Sequence, residues 1–525
     1  MPPFRRAFHL PLLLLLAACA GAGQAPATTS RAVAAPAMAD GWRVPALPSA
    51  APIGREEYAR RRAALAERME DGVLVVFGGG APENDYTVFA QNSPFRYLTG
   101  VVEPGAALVI ARRGGTVRER LFVRPRNPAR EVWEGTRLGT AGAAGATGIA
   151  ASDADGLPAA VESLLAATPV LYTISSPPDE VPDGTMLTRE QQLIARLASG
   201  RPGVRVAQLN TALGRLRGSK SPAELDLIRR AVYVTVLAQR AAIRSVEPGM
   251  NEFEIQALIE YFFRRNGAER PSFATIVGSG PNATTLHYNA DDRFMRAGEM
   301  VVMDVGASYG GYAADVTRTV PVSGTFTAEQ RAIYEIVLAA QKAAEAQARP
   351  GATLQELSQT AAQTIAEGLA RLGLIEAPDA TYDCRVQDQS RECPQWRLFY
   401  LHGLSHGIGL DVHDPDNAYF GPFRVGSAFT IEPGIYVRGD VFAHLPDTPG
   451  NAALAQRLRP ILTRYRDIGV RIEDDYFITP DGVERISDGA PREIAELETL
   501  MAQPGPGQVE RQRDVVEWYG STEGR

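Results

Sequence analysis

The sequence predicts an α+β protein in which an α/β layer domain precedes a second domain of helices and antiparallel strands. Three observations support this prediction. Short apolar strands alternate with helices in the first part of the chain, whereas capped amphipathic helices and longer strands fill the second. The 525 residues are 45% hydrophobic and 22% charged, which is typical of globular proteins and excludes collagen-like, coiled-coil and wholly disordered chains. A chain of this length can bury more than one core.

Shifts in composition along the chain predict five segments. They are a signal peptide at 1–19, a flexible tether at 20–52, the α/β domain at 53–215, the second domain at 216–500 and a frayed tail at 501–525. The tether is expected because Ala, Pro, Gly and Thr dominate it. The chain has 61 acidic and 54 basic residues, a net charge of -7, which excludes a general nucleic-acid binder.

The N-terminus indicates export. Arg5 and Arg6 precede an apolar run at 12–16, and this secretion signal is too short to span a bilayer as a mature helix. The following Leu-Ala-Ala-Cys resembles the lipobox of bacterial lipoproteins, which implies a lipid anchor at Cys19 and a periplasmic or cell-envelope location. Ala20 stands where inner-membrane retention would favour Asp, so we expect the outer membrane. The alternative is ordinary cleavage among the small residues at 18–22.

Two cysteines remain after Cys19, and export favours a bond between them. Cys384 and Cys393 are separated by eight residues in a segment without a core-like pattern. We expect a disulfide that stabilises the fold by about 2–3 kcal/mol through chain entropy. Two free surface thiols are the alternative, whereas a zinc site is disfavoured because no histidine is adjacent.

Apolar patterning predicts the elements of both domains. In the first, EEYARRRAALAERM and TREQQLIARLAS predict helices, and GVLVVFGGG, GAALVIARR and VLYTISSP predict short strands. In the second, capping boxes predict helix starts at Ser221, Asn251, Thr327 and Thr353. Long strands are predicted for MVVMDVG, GYAADVTRTVPV, SAFTIEPGIYV and VRIEDDYFIT.

Two glycine-rich motifs suggest other chemistry but lack its structural context. Residues 278–283 resemble a dinucleotide-binding loop, yet the following TTLHY is β-like where a helix must begin. Residues 403–407 fit the elbow of serine hydrolases, with Ser405 as nucleophile and His413 or His444 as base, yet no helical pattern follows. We therefore expect a tight turn at the first motif and no serine nucleophile at the second.

Carboxylates and imidazoles in the second domain predict a metal site. His402, His406 and His413 fall within twelve residues, although the whole chain has only six histidines. Four acids lie inside Val/Ile-rich strands, where a charge is costly unless it is paired or bound to metal. They are Asp304, Asp315, Glu432 and Glu473, and a hairpin at ASYGGY would bring the first two face to face. Each alone fits a salt bridge, but the four together with the histidines favour a metal.

Five segments resemble the signature blocks of the proline-specific pita-bread metallopeptidases, in order and spacing. They are TIVGSGPNATTLHY, VVMDVGASYGGYAADVTRTVPV, FYLHGLSHGIGLDVHD, TIEPGIYV and GVRIEDD. Within that family the chain is most similar to aminopeptidase P, because QNSPFRYLTGVVEPGAAL, EVWEGTRLG and KSPAELDLIRRA resemble its N-terminal domain and junction. The resemblance covers about residues 55–500 and implies a pita-bread catalytic domain behind an α/β domain.

The resemblance implies a centre of two divalent metal ions. The matching ligands are Asp304, Asp315, His406, Glu432 and Glu473, with Asp315 and Glu473 bridging both ions. This oxygen-rich set suits Mn²⁺, with Co²⁺ or Zn²⁺ as alternatives. The residues that match the substrate-side imidazoles and their supports are His287, His402, His413, Arg471 and Tyr436.

The same resemblance implies a mechanism. A metal-bridging hydroxide attacks the peptide bond, and Glu432 orients it or relays its proton. His402 stabilises the oxyanion and His413 holds the substrate carbonyl. The activity implied is removal of the N-terminal residue from proline-containing peptides, namely those with proline in second position. The enzyme is expected to be a homo-oligomer of two or four chains.

Two alternatives and three departures from the family pattern remain. The alternatives are a prolidase, which shares the ligands but accepts only dipeptides, and a non-catalytic peptide-binding lipoprotein. Arg96 stands where an aromatic residue is usual. Residues 376–397 and the segment HLPDTPGNAALAQRLRPILTRYRD look inserted, and we hypothesise that they narrow the mouth of the site or alter oligomer contacts.

Overall fold

A computed structural model describes most of the chain from residue 52 onward. The described residues are 52–81, 88–174, 188–200, 203–384, 391–416, 419 and 421–508. The predicted signal peptide with its lipobox, nearly all of the tether and residues 509–525 of the predicted tail lie outside them. No helix in the described ranges has both the length and the apolar character needed to cross a membrane.

The first part of the described chain is a mixed sheet flanked by helices, as predicted. Its six strands run in the order β4-β3-β2-β1-β5-β6, antiparallel from β1 to β3 and parallel at the other pairs. The elements are α1 (Arg55–Ala66), β1 (Gly72–Phe77), α2 (Ser93–Thr99), β2 (Ala107–Arg113), β3 (Thr116–Val123), α3 (Pro128–Glu134), α4 (Gly139–Thr147), β4 (Ala151–Asp153), α5 (Leu157–Leu165), β5 (Val170–Thr173), α6 (Arg189–Gly200), β6 (Arg205–Gln208) and α7 (Asn210–Arg217). Val73, Val75 and Val109 of the central strands pack against Val161 and Leu197 of the helices.

The described residues of the second part include six helices. They are α8 (Pro222–Ser245), α9 (Glu252–Arg265), α10 (Ala328–Glu345), α11 (Leu354–Leu372), α12 (Pro449–Tyr465) and α13 (Ile494–Met501). The four predicted capping boxes are all present, at Ser221, Asn251, Thr327 and Thr353. Each places its helix start by satisfying amides that the helix itself leaves without partners.

The strands of the second part form small antiparallel sheets. They are β7 (Arg270–Pro271), β8 (Ile276–Ser279), β9 (Met300–Val305), β10 (Ala307–Tyr309), β11 (Tyr312–Ala313), β12 (Val316–Pro321), β13 (Thr381–Asp383), β14 (Glu392–Pro394), β15 (Ala428–Ile431), β16 (Gly434–Val437), β17 (Ile468–Arg471), β18 (Asp474–Thr479) and β19 (Gly482–Arg485). The sheet orders are β12-β9-β8, β11-β10-β7, β15-β18-β19, β16-β17 and β13-β14.

Three of the predicted long strands are broken, and each break lies at a predicted metal ligand. The chain changes sheets at Asp315 between β11 and β12, at Glu432 between β15 and β16, and at Glu473 between β17 and β18. At these points the main-chain amides bond outside the regular ladders: that of Glu432 donates to Leu404 O and that of Glu473 to Thr317 O. The prediction of continuous strands was therefore wrong. The sequence does not reveal the breaks, because the apolar pattern is the same on both sides of each one.

The two apparently inserted segments contact each other. Residues 376–397 contain the β13–β14 hairpin, and the structure has the predicted disulfide between Cys384 and Cys393. The other segment forms α12, whose Asn451 Nδ2 donates to Asp383 O at 2.9 Å.

The predicted frayed tail needs correction over residues 501–508. Gly505 and Gly507 pack against the end of α8, and the Gly507 amide donates to Ser245 Oγ at 3.0 Å. A Cβ at Gly505 would lie 2.3 Å from Arg244 O, so only glycine allows this close approach.

Candidate metal centre

Asp304 and Asp315 are brought together by the hairpin that the sequence predicts. Asp304 lies on β9 and is paired with Thr317 of β12, so Asp315 stands two residues earlier at the sheet change. The Asp315 amide donates to Asp475 Oδ2 at 2.9 Å, which fixes the main chain where the strand is broken. Both carboxyl groups are buried.

The His406 ring stands at the centre of three carboxylates. Its Nε2 atom lies 3.5 Å from Asp315 Oδ2, 3.4 Å from Glu432 Oε1 and 3.7 Å from Glu473 Oε1. Its Nδ1 atom lies 3.1 Å from the carbonyl oxygen of Gly407. A proton on Nδ1 would be donated to that carbonyl, which leaves the Nε2 lone pair facing the carboxylates as a metal ligand requires.

The donor set fits divalent cations. Asp304 Oδ1, Asp315 Oδ1 and Glu473 Oε1 are buried without a hydrogen-bond partner among the described residues. Ligand atoms of Asp315, His406 and Glu473 also lie within 4.8 Å of one another. Buried carboxylate oxygens without donors are costly unless a cation meets them, so these side chains point to metal binding.

The protonation of these groups reflects their burial. Burial and the neighbouring carboxylates raise the pKa of Asp315 and Glu473 well above the ordinary values, and burial raises that of Glu432 to about 8. Burial, with His413 beside it, lowers the pKa of His406 to about 4. The imidazole is therefore neutral near pH 7, as a metal ligand must be, and bound cations would favour the ionised carboxylates.

Arg471, Tyr436 and His402 form a hydrogen-bonded chain beside the carboxylates. Arg471 donates from Nη2 to Asp304 Oδ2 at 2.5 Å and from Nη1 to the Tyr436 hydroxyl at 2.9 Å. Since arginine only donates, the tyrosine proton is free to be donated to His402 Nε2, 2.8 Å away. The His402 Nδ1–H then donates to Gly403 O at 2.7 Å.

Both ring nitrogens of His402 are therefore occupied inside the protein. Burial lowers its pKa to about 4, with Arg471 as the next cause, so the ring is neutral. The predicted role as an oxyanion donor would require Nδ1 to exchange the Gly403 carbonyl for a substrate oxygen.

A buried ion cluster holds the loop that carries His413. Arg217 pairs with both Asp411 and Asp414, and Lys220 Nζ lies 3.2 Å from Asp414. Burial alone would raise the pKa of Asp414, but the two cations hold it below its ordinary value. The loop places the His413 ring 4.4 Å from that of His406, centroid to centroid.

His287 lies in the turn that follows β8. Residues 280–284 form a short 3₁₀ helix and TTLHY continues as bends and turns, so the expected β-like continuation was wrong. Arg471 Nη2 also donates to Leu286 O at 3.3 Å, which ties this turn to the centre. Residues 278–283 are not followed by the α-helix that a dinucleotide-binding loop requires, and no α-helix follows Ser405 within residues 406–416. The local structure therefore supports neither dinucleotide binding at the first motif nor a serine nucleophile at Ser405.

Three supporting residues escaped the sequence analysis. Thr317 Oγ1 donates to Glu473 Oε2 at 2.7 Å and accepts from Arg471 Nε at 3.3 Å. The fully buried Arg318 donates to Glu473 O at 2.7 Å and pairs with Asp474. Asp475 is the third, through its bond to the Asp315 amide. An arginine inside the apolar strand VTRTVPV is a signal of the same kind as the strand acids, and it predicts a buried acidic partner.

All the predicted ligands and His287, His402, His413 and Arg471 line one cavity of about 1220 Å³; Tyr436 lies behind it. Both parts of the chain contribute walls, the first part through residues 79–80 and 88–93. No described residue of the two inserted segments lines this cavity, so the hypothesis that they narrow its mouth gains no support from the described residues.

Fold and site together define a metallopeptidase. Residues 226–480 match the model of metallopeptidase family M24, and residues 58–172 match that of the aminopeptidase P N-terminal domain. The chain belongs to family M24 and, within it, to the aminopeptidase P group, which confirms the predicted resemblance and its pita-bread fold.

Relatives and solved structures agree along nearly the whole described chain. The Xaa-Pro aminopeptidase of Escherichia coli is 34% identical over an alignment of 475 positions, which covers 86% of this chain and 98% of the relative. Human Xaa-Pro aminopeptidase 3 is 30% identical over 86% of this chain and 87% of its own length. The structure of E. coli aminopeptidase P with the inhibitor Pro-Leu superposes with a TM-score of 0.71 at 31% identity, covering 86% of this chain and 99% of the other.

Proposed function

We propose that this protein removes the N-terminal residue from peptides that carry proline in second position. The observation that carries this proposal is the His406 centre, where buried carboxylate oxygens that find no hydrogen-bond partner among the described residues line a cavity. Relatives that span the same two regions are named Xaa-Pro aminopeptidase, which supports this substrate class.

The proposal includes two divalent cations, with Mn²⁺ preferred. Asp304, Asp315, His406, Glu432 and Glu473 would hold them, and four carboxylates with one imidazole suit Mn²⁺ better than a sulfur-loving metal. Bound cations supply an activated water near neutral pH and polarise the scissile carbonyl.

The side chains of this protein perform the remaining tasks. Glu432 accepts the proton of the attacking water at its carboxylate. His413 and His287, which are exposed to the cavity, bind the substrate carbonyl and neighbouring peptide groups. Arg471 holds Asp304 and Tyr436 in place, and Tyr436 holds His402. Proline is selected by shape, because an X-Pro bond has no N–H to grip.

The cavity volume favours peptides longer than two residues. About 1220 Å³ exceeds the range of about 300–1,000 Å³ that is usual for small-ligand pockets. A prolidase, which holds only a dipeptide, needs less room. The cavity thus has room for the longer peptides that an aminopeptidase P cleaves, and the match of residues 58–172 to the aminopeptidase P N-terminal domain favours the same activity.

We also propose that the protein is exported and anchored to the outer membrane by lipid at Cys19, and that it forms a homo-oligomer of two or four chains. The lipobox-like sequence supports the first part. In fractionated cells, a Cys19→Ala variant should leave the membrane fraction, and retention there would contradict the anchor. Light scattering should give a mass of two or four chains, and a monomer would contradict the oligomer.

The activity is tested with purified protein loaded with Mn²⁺. Arg-Pro-Pro peptides and a Gly-Pro dipeptide are supplied in parallel, and Asp304→Asn is compared with the exposed turn variant Asp481→Asn. Release of the first residue from the longer peptides, lost only in Asp304→Asn, is expected. Cleavage of the dipeptide alone would indicate a prolidase, and no cleavage without bound metal would favour a peptide-binding protein.

A further inference from the structure

The charges that line the cavity are strongly unequal. Its lining acids are Asp304, Asp315, Asp411, Glu432 and Glu473, whereas among the described lining residues Arg270 and Arg471 alone carry a permanent positive charge. Arg471 is committed to Asp304 and Tyr436. Arg270 is therefore the cation in this lining that has no assignment.

Arg270 is held close to the metal centre by strand pairing. It lies on β7 opposite Ser308 of β10, and its Nη1 donates to Pro271 O at 3.0 Å and to Ser272 O at 3.5 Å. Ser272 in turn bonds through its amide to Gly306 O at 2.8 Å and through its hydroxyl to Ala314 O at 2.9 Å. The guanidinium group thus lies beside Ser272, whose bonding partners Gly306 and Ala314 stand two residues from Asp304 and one residue from Asp315, respectively.

The partners of Arg270 are carbonyl oxygens only. Within the described ranges it forms no ion pair, and its Nε and Nη2 hydrogens have no recorded acceptor. The adjacent Glu269 lies 3.5 Å from Arg96, the residue that replaces the usual aromatic. The Glu269 carboxylate therefore pairs with Arg96 and not with Arg270.

A peptide bound in this cavity brings a carboxylate that this cation can meet. In an Xaa-Pro-Xaa tripeptide the terminal carboxylate stands two residues, about 7 Å of extended chain, beyond the cleaved carbonyl. Among the described lining residues, Arg270 is the permanent cation that is not committed to another side chain, so it is the group that such a carboxylate would meet.

We propose that Arg270 binds a carboxylate on the third residue of the substrate and so determines specificity. The carboxylate is either the terminal group of a tripeptide or the side chain of an acidic third residue. This inference rests on the proposed function, because it assigns the residue that follows proline. Arg270 touches the substrate away from the reacting atoms, so it acts on binding and not on the chemical step.

Turnover of three peptides separates the two sources of the carboxylate. Mn²⁺-loaded wild type, Arg270→Gln, Arg270→Lys and the exposed control Arg265→Gln are compared on Ala-Pro-Ala, its C-terminal amide and Ala-Pro-Glu amide. If Arg270 binds the terminal carboxylate, Arg270→Gln should raise KM for Ala-Pro-Ala about tenfold, with kcat unchanged, and should leave turnover of the simple amide unaffected. Arg270→Lys should recover part of the lost KM. Loss confined to Ala-Pro-Glu amide would assign the side-chain source. Equal KM values for all variants on all three peptides would overturn the proposal.

A binding measurement keeps this test separate from the proposed activity. Calorimetry of the Mn²⁺-loaded protein with the uncleaved dipeptide Pro-Ala and with Pro-Ala amide requires no turnover. Arg270→Gln should weaken binding of Pro-Ala about tenfold and leave the amide unchanged. If Arg270→Gln leaves the binding of both ligands unchanged, the Arg270 assignment is overturned even if turnover is normal. If turnover is absent but Arg270→Gln selectively weakens Pro-Ala binding, only the proposed activity is overturned.

Discussion

Thr317 offers a direct test of how the protein supports its proposed metal ligands. Its hydroxyl donates to Glu473 Oε2 at 2.7 Å, and the residue is fully buried. The substitution Thr317→Val keeps the shape and removes that donor. A hydrogen bond to a charged group contributes about 1.5–3 kcal/mol. Since about 1.4 kcal/mol corresponds to a factor of ten, Kd for Mn²⁺ should rise about 10–100-fold.

Calorimetric titration with Mn²⁺ measures this change without relying on activity. Thr317→Ser restores the hydroxyl and should recover most of the affinity. Thr319→Val is the matched control, because its equally buried hydroxyl bonds only main-chain atoms of Arg471. It should lower the free energy of unfolding to a similar extent and leave Kd within about threefold. A folded Thr317→Val protein with wild-type Kd would refute the reasoning.

Three further predictions concern metal binding, the disulfide and the ion cluster. Because the pKa values of Glu432, Asp315 and Glu473 are raised, metal binding must release their protons, so Mn²⁺ affinity should rise as the pH is raised from 6 to 8; a flat calorimetric profile would contradict this. Cys384→Ser should lower the free energy of unfolding by about 2–3 kcal/mol in denaturant titrations and leave kcat unchanged, since neither cysteine lines the cavity; a fall in kcat would oppose this. Arg217→Met should lower kcat/KM at least tenfold by releasing the His413 loop, with partial rescue by Arg217→Lys, and equal loss in both variants would indicate a general folding defect.

Much of the fold was predictable because its signals are local. A capping box needs only two side chains three residues apart, so Ser221 and Thr353 mark their helices in the sequence alone. The acids at the centre were found for a related reason, because a carboxylate in an apolar strand is costly without a partner. The resemblance to known signature blocks then favoured metal ligands over ordinary salt bridges for these acids.

The features that escaped prediction depend on distant partners. The change of sheet at Glu432 requires the Leu404 carbonyl, and the one at Glu473 requires Thr317, so no local pattern reveals either. Gly505 packs against α8 across some 260 residues of sequence, a contact that a glycine-rich tail does not indicate. Thr317 itself looks like any strand threonine until its neighbours are known.

The central claim is that five side chains hold two cations that make this chain a peptidase. Release of the first residue from Arg-Pro-Pro, measured while Mn²⁺ is added stepwise to metal-stripped protein, tests it most directly. The account predicts that activity rises from near zero and levels off at two Mn²⁺ per chain, with no activity in Asp304→Asn at any ratio. Full activity in the stripped protein, or activity in Asp304→Asn equal to that in Asp481→Asn, would contradict it.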